Sequence, residues 1–310
     1  MKSLFSLIIL LNFFCISAQE KDLFVSQDII VSEWIEGTLL LPKDKKTDEI
    51  LTIIISDYGP TDRNGNQSFM KNNCLKQLAE ALSSNKIATF RYDKRIVKQI
   101  QTRKSSKDVT FDDLVADATD VIDYFKSRKR FKKIIVLGHG QGSLVGILAS
   151  KKNADAFISV AGTALNIGDV IIKEVEKTAP VQLEKVKYVI EKLKSGKRVG
   201  NYPKELEFVL NPKVQPYMIS WMKYNPKEEI KNLDIPILVT NGTKDLQVGN
   251  DEGLQLKNAS QNVKFVEIKN MNHMLFEIEG NDLENSKSYN ESYRKVSQIL
   301  IDNIIDFINP

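Results

Sequence analysis

The sequence predicts an α/β protein, with a mostly parallel central sheet flanked by helices and a helical cap insertion at about residues 165–230. Three observations carry this. Short β-branched runs recur along the chain, amphipathic helical patterns separate them, and between residues 165 and 230 charged helical stretches broken by prolines replace that rhythm. Short apolar runs suit strands covered on both faces. Their alternation with helices calls for βαβ crossovers.

Taken in order, Phe24 to Leu41 reads as antiparallel strands leading into the sheet. Leu51 to Ser56 is the first core strand, and it runs into the turn-rich Asp57-Tyr58-Gly59-Pro60. Further strands are predicted over Lys86–Tyr92, Lys133–Leu137, Ala156–Val160, Ile235–Thr240 and Val263–Ile268. Leu114, Ala118, Val121, Ile122 and Phe125 line one face of a helix, and Val296, Ile299, Leu300, Ile304 and Phe307 line another. Ile167 to Lys197 and Tyr217 to Leu233 are helical, with Pro180, Pro203, Pro212, Pro216 and Pro226 as breaks. This region reads as an insertion between two core strands; ordinary crossover helices are the alternative.

Composition narrows the class. With 310 residues, 42% apolar and 27% charged, the chain can bury a sizeable core. The formal net charge is +4, and the densest basic run, Lys126 to Lys133, is expected to be a solvated helix end. No nucleic acid is expected as a partner. Lys2, the apolar stretch Leu4 to Cys15, and the small residues Ser17 and Ala18 form a signal peptide over residues 1–18. The expected product is an exported domain, residues 19–310, without stable membrane insertion. Cleavage would leave Cys74 as the one cysteine, so no internal disulfide is expected. With His139 and His273 as the only histidines, neither a zinc cluster nor another cofactor is expected.

The informative segment is Ile135-Val136-Leu137-Gly138-His139-Gly140-Gln141-Gly142-Ser143. A β-branched strand meets small residues and then a helical stretch. This is the setting of a G-x-S-x-G nucleophile elbow, where a sharp turn exposes one side chain above the sheet. The central position is Gly140. Later in the chain, Asp245 follows one predicted strand and His273 follows the next, both at carboxyl ends where open α/β sheets gather their sites.

These segments together resemble an α/β-hydrolase of the secreted serine-aminopeptidase-like or carboxylesterase type. The matching segments are Glu36–Pro42, Gly59–Asn66, Arg91–Arg95, Gly242–Val248 and Asn272–Phe276, in order around the elbow. The resemblance implies an α/β-hydrolase fold acting on a small-molecule ester or acyl compound. In it Asp245 orients His273, His273 acts as general base and then acid, and His139 packs the elbow. The oxyanion hole would be formed by the Tyr58 and Gln141 N–H groups.

The chain departs from that pattern at two places. The family usually carries small residues where Asp57 and Tyr58 stand. A carboxylate at 57 would repel an oxyanion if it pointed inward, and would merely shape the turn if it faced solvent. The second departure is Gly140, which has no side chain to acylate. Three readings follow: a serine hydrolase whose nucleophile is replaced, a pseudo-hydrolase that binds a small ligand or partner, or a hydrolase working through Ser143 or a bound water. Ser143 is expected in the first turn of the helix, bonded to backbone groups.

Overall fold

A computed structural model describes residues 23–43, 49–103 and 109–309. The predicted signal peptide lies outside the described residues. Eight strands form one sheet: β1 (Phe24–Ile30), β2 (Glu36–Pro42), β3 (Ile50–Ile55), β4 (Ala88–Tyr92), β5 (Lys133–His139), β6 (Ala156–Val160), β7 (Ile237–Gly242) and β8 (Val263–Ile268). Their spatial order is β1-β2-β4-β3-β5-β6-β7-β8. The pairs β1·β2 and β2·β4 are antiparallel, and every other pair is parallel.

The helices α1 (Cys74–Ser84), α2 (Arg95–Thr102), α3 (Phe111–Ser127) and α4 (Gln141–Asn153) lie between the earlier strands. Five more separate β6 from β7: α5 (Ile167–Thr178), α6 (Leu183–Lys194), α7 (Glu207–Leu210), α8 (Gln215–Met222) and α9 (Pro226–Ile230). The last three are α10 (Asn250–Ala259), α11 (Asp282–Ser288) and α12 (Gln298–Ile308).

Period-two alternation divides the core into two layers. Ile53, Ile55 and Val136 face α3 and α4, whereas Ile54, Ile135 and Leu137 face α1 and α12. Residues of the β6–β7 helices, including Val186, Val189, Met218 and Trp221, continue the first layer. The start of α3 is fixed by a capping box in which Thr110 and Asp113 satisfy each other's backbone N–H groups.

Strand β3 begins one residue earlier than the sequence reading, at Ile50, and two strands begin two residues later. Strand β4 begins at Ala88 rather than Lys86, because Lys86 has φ of 68° and closes the turn after α1. Strand β7 begins at Ile237 rather than Ile235; Pro236 has no N–H to donate to a ladder.

One consequence of the topology places the site. The connections from β3 and β5 leave the sheet toward opposite faces, so a crevice opens between their carboxyl ends, as at any topological switch point. Ile55 pairs with Gly138, so Asp57 and Gly140, each two residues further on, emerge side by side.

Phe90 tests the packing. It is fully buried, with its ring edge-on to Phe125 at 4.8 Å. Phe90→Ala is expected to destabilise the fold by about 3–5 kcal/mol, as for other buried Phe truncations. Urea denaturation should show this as a lowered midpoint at unchanged slope.

Candidate active site

The turn from β5 into α4 is made by Gly140, with φ 54° and ψ −119°, a conformation that side-chain-bearing residues adopt only under strain. A Cβ on Gly142 would lie 2.4 Å from the Ile55 carbonyl oxygen, so glycine there lets α4 start directly against the end of β3. The first N–H of α4 thereby faces the loop that follows β3.

That loop carries Asp57, whose side chain points inward. Gln141 N–H donates to Asp57 Oδ1 at 2.7 Å, and His273 Nε2 lies 3.1 Å from Asp57 Oδ2. The other ring nitrogen of His273, Nδ1, is 2.8 Å from Asp245 Oδ2. Asp245 is anchored in turn, because its Oδ1 accepts from the Gln247 and Val248 N–H groups. His273 therefore sits between two carboxylates. Neither oxygen can donate while ionised, so both ring nitrogens must carry protons and the ring is an imidazolium.

The electrostatics follow from this geometry. Burial alone would lower the His273 pKa, but the Asp245 charge and hydrogen bond, together with those of Asp57, reverse it and raise it to about 10. Burial would raise Asp57, but His273 and the Gln141 N–H outweigh it and hold the carboxyl well below the usual range. The position at the N-terminus of α4 also favours a negative charge. Burial lowers the His139 pKa, and its Nε2–H donates to the His273 carbonyl oxygen at 2.8 Å. It thus braces the His273 backbone as well as packing the turn. Beneath the loop, Lys94 Nζ donates to the Asp57 carbonyl oxygen; burial pushes this amine down to about 8, against the pull of the Asp57 charge.

Asp57, Gly140, Gln141 and His273 line one cavity of about 190 Å³. Its outer wall is apolar: Ile167, Val170 and Ile171 from α5, Val209 from α7, and Met218 and Trp221 from α8. The Tyr58 ring stacks on Trp221 at 5.6 Å, and Trp221 stacks on Phe111 at the same distance. Tyr217 Oη–H donates to Gln141 Oε1 at 2.9 Å, tying α8 to the start of α4. On the far side of Tyr58 and Tyr217, a second cavity of about 330 Å³ opens between the loop, Phe208 and Val214.

The structure thus brings together Gly140, Gln141, Tyr58, Asp245 and His273, all singled out in the sequence. Among the described residues, the Tyr58 N–H has no hydrogen-bond acceptor. Ser143 lies elsewhere: its side chain is buried, with Oγ 2.6 Å from Ser159 Oγ, so it bonds to a side chain of β6 and not to backbone. Asp57 faces inward, which was one of two open alternatives. Sequence reasoning missed Lys94 and Tyr217. The place of Lys94 in the Arg91–Arg95 segment just past a strand was the signal available for the first; nothing in the pattern pointed to the second. Among the described residues, no group of three or more His, Cys, Asp or Glu is placed to hold a metal ion.

Comparison with known proteins gives consistent relatives. The family described as serine aminopeptidase, S33, matches residues 70–216. Esterase EstD of Thermotoga maritima is 28% identical over 272 residues, which is 84% of this chain and 62% of that protein. The chain therefore spans less than two thirds of that relative's length. Among solved structures, Est1E from Butyrivibrio proteoclasticus has a TM-score of 0.57 at 17% identity, covering 92% of this chain and 99% of that one. An esterase of Pyrococcus furiosus, Pf2001, has a TM-score of 0.56 at 14% identity, covering 92% and 91%. The butyrate-bound Est2 of Thermogutta terrifontis has a TM-score of 0.53 at 15% identity, covering 92% and 94%.

The charged relay has a pH signature. The folded value of His273, about 10, lies above its ordinary 6.5, so its stabilisation is full below pH 6.5 and is lost as pH rises through about 10. The Asp57 contribution has the opposite sense: it is present above pH 3.8 and is lost on acidification below that. The melting-temperature difference between wild type and His273→Gln should therefore hold steady up to pH 6.5 and shrink toward about pH 10. A difference unchanged across that range would mean that His273 is neutral.

Proposed function

We propose, for a chain that belongs to the esterase-type α/β-hydrolases, that it is exported and takes a small, mostly apolar ester or acyl compound without cleaving it by the serine route. In this reading Asp245 and His273 are the acid and histidine of a catalytic triad whose nucleophile position is Gly140. The observation that carries it is the Asp57 carboxylate, which occupies both the Gln141 N–H and His273 Nε2.

The chemistry follows from those two contacts. A serine route needs a hydroxyl at the turn, a neutral histidine to take its proton, and free N–H groups for the oxyanion. Position 140 supplies no hydroxyl, and the nearest one in sequence, Ser143, is buried on Ser159. His273 already holds two protons, and the Gln141 N–H already serves a carboxylate. The alternative reading, a pseudo-hydrolase that binds a small ligand or partner without reaction, draws on the same carboxylate, because it fills the place where a carboxylate product would rest.

The steric test is specific. A Cβ added at Gly140 would lie 2.0 Å from Asp57 Oδ1. Wild type and Gly140→Ser are both expected to hydrolyse p-nitrophenyl butyrate at background rates and to resist labelling by a serine-directed phosphonate. The double variant Gly140→Ser, Asp57→Gly should gain about 100-fold or more, a small part of the ~10⁶ that a serine supplies in a working triad. Phosphonate labelling of the wild type, or strong activity in Gly140→Ser alone, would defeat this reading. Export makes a separate prediction: N-terminal sequencing of the protein from outside the cytoplasm should begin at Gln19.

A further inference from the structure

The two positions where the chain departs from the pattern it resembles lie against each other. Gly140 leaves a space, and Asp57 fills it: a side chain at 140 would begin 2.0 Å from Asp57 Oδ1. The carboxylate that enters from the neighbouring loop is held by the contacts that a reacting group at the turn would use, the Gln141 N–H on one oxygen and His273 Nε2 on the other. It is not sealed off. Asp57 lines the apolar cavity and keeps 18% of its side-chain surface exposed.

We propose that Asp57 is the nucleophile of this site, and that its substrate is a small alkyl compound bearing a good leaving group on a saturated carbon, hydrolysed through an Asp57 alkyl ester. This rests on the serine-free site above and gives it a further substrate class, distinct from the ester or acyl compound of that reading.

Carboxylate chemistry selects the substrate class. Attack on an acyl carbon gives a tetrahedral adduct that expels its best leaving group, which is the Asp57 carboxylate itself, so that route returns to the start. Attack on a saturated carbon carrying a halide or sulfonate runs forward. Asp57 Oδ2 supplies the electron pair of the new C–O bond, and the C–X bond breaks with its pair leaving on X⁻. The neutral ester keeps Oδ1 on the Gln141 N–H, now in place to stabilise an oxyanion at the ester carbonyl.

Esterification also releases His273. Neutral Asp57 no longer holds the imidazolium, whose Nε2 proton passes to solvent, while Asp245 keeps the ring oriented through Nδ1. Nε2 then takes a proton from water as its oxygen attacks the ester carbonyl carbon. Collapse of the adduct expels the alcohol, which leaves with that proton. The carboxyl proton left on Asp57 moves to His273 and restores the starting pair. The sum is R–X and water giving R–OH, X⁻ and one proton.

The test uses 1-bromobutane and butyl methanesulfonate in heavy-oxygen water. Wild type should turn over, and mass spectrometry should find heavy oxygen in the Asp57 carboxylate. His273→Gln should stop after one equivalent of bromide, with a butyl group on the peptide containing Asp57. Asp57→Asn should lose bromide release entirely. Turnover without heavy oxygen in Asp57, a butyl group on any other residue, or no bromide release from wild type would each overturn the proposal. The serine-free reading fails separately, through the p-nitrophenyl butyrate and phosphonate results, which do not depend on alkyl probes.

Discussion

The site depends on one interaction, an imidazolium held between two carboxylates at the foot of an apolar cavity. The His273 side chain is 2% exposed and that of Asp245 is fully buried, so neither charge is directly solvated. Taking such charges out of water costs several kcal/mol per ion unless every hydrogen-bonding atom finds a partner. Here each does. Asp245 binds His273 through one oxygen and two backbone N–H groups through the other. Asp57 divides its oxygens between His273 and the start of α4. The His273 backbone is fixed by His139 and that of Asp57 by Lys94. The residues come from the ends of β3, β5, β7 and β8, so the relay exists only when the sheet is assembled.

The loop that brings Asp57 inward is itself braced. Arg63 donates to both oxygens of Asp93, through its own N–H at 2.7 Å and through Nε at 2.8 Å, and it also reaches Glu36 at 3.0 Å. Asp62 Oδ1 closes the following turn by accepting from the Asn64 and Asn66 N–H groups. The polar residues of Gly59–Asn66 therefore serve loop geometry, tying it to β2 and to the end of β4. The stack from Tyr58 through Trp221 to Phe111 joins the same loop to α8 and α3. A displacement of α8 would thus be felt at Tyr58, beside the carboxylate.

What the sequence revealed follows from which features are local. Strands β3 to β7 are apolar runs buried on both faces, the edge strand β8 is only partly buried, and all six sit within two residues of their expected ends. The shifts at Lys86 and Pro236 come from backbone features that override apolar content. Asp245 and His273 were legible because each directly follows a strand, and strand ends converge by topology. The direction of the Asp57 side chain was not legible. It depends on a vacancy created far away in sequence, at Gly140, and on a histidine 216 residues later. The hydrogen bond from Tyr217 to Gln141 was hidden for the same reason: it joins α8 to the start of α4 across 76 residues.

The contact between residues 57 and 140 also shapes how this site can change over generations. Adding a side chain at 140 first would place its Cβ 2.0 Å from Asp57 Oδ1, so the carboxylate would have to swing aside and give up the Gln141 N–H and His273. Removing the Asp57 carboxylate first would leave a buried imidazolium and the leading N–H of α4 without their partner, at about 1–3 kcal/mol for each unsatisfied group. Either single step is expected to cost stability until the other follows. The pair therefore behaves as a ratchet: once glycine and aspartate stand opposite each other, ordinary one-at-a-time mutation is biased toward keeping both.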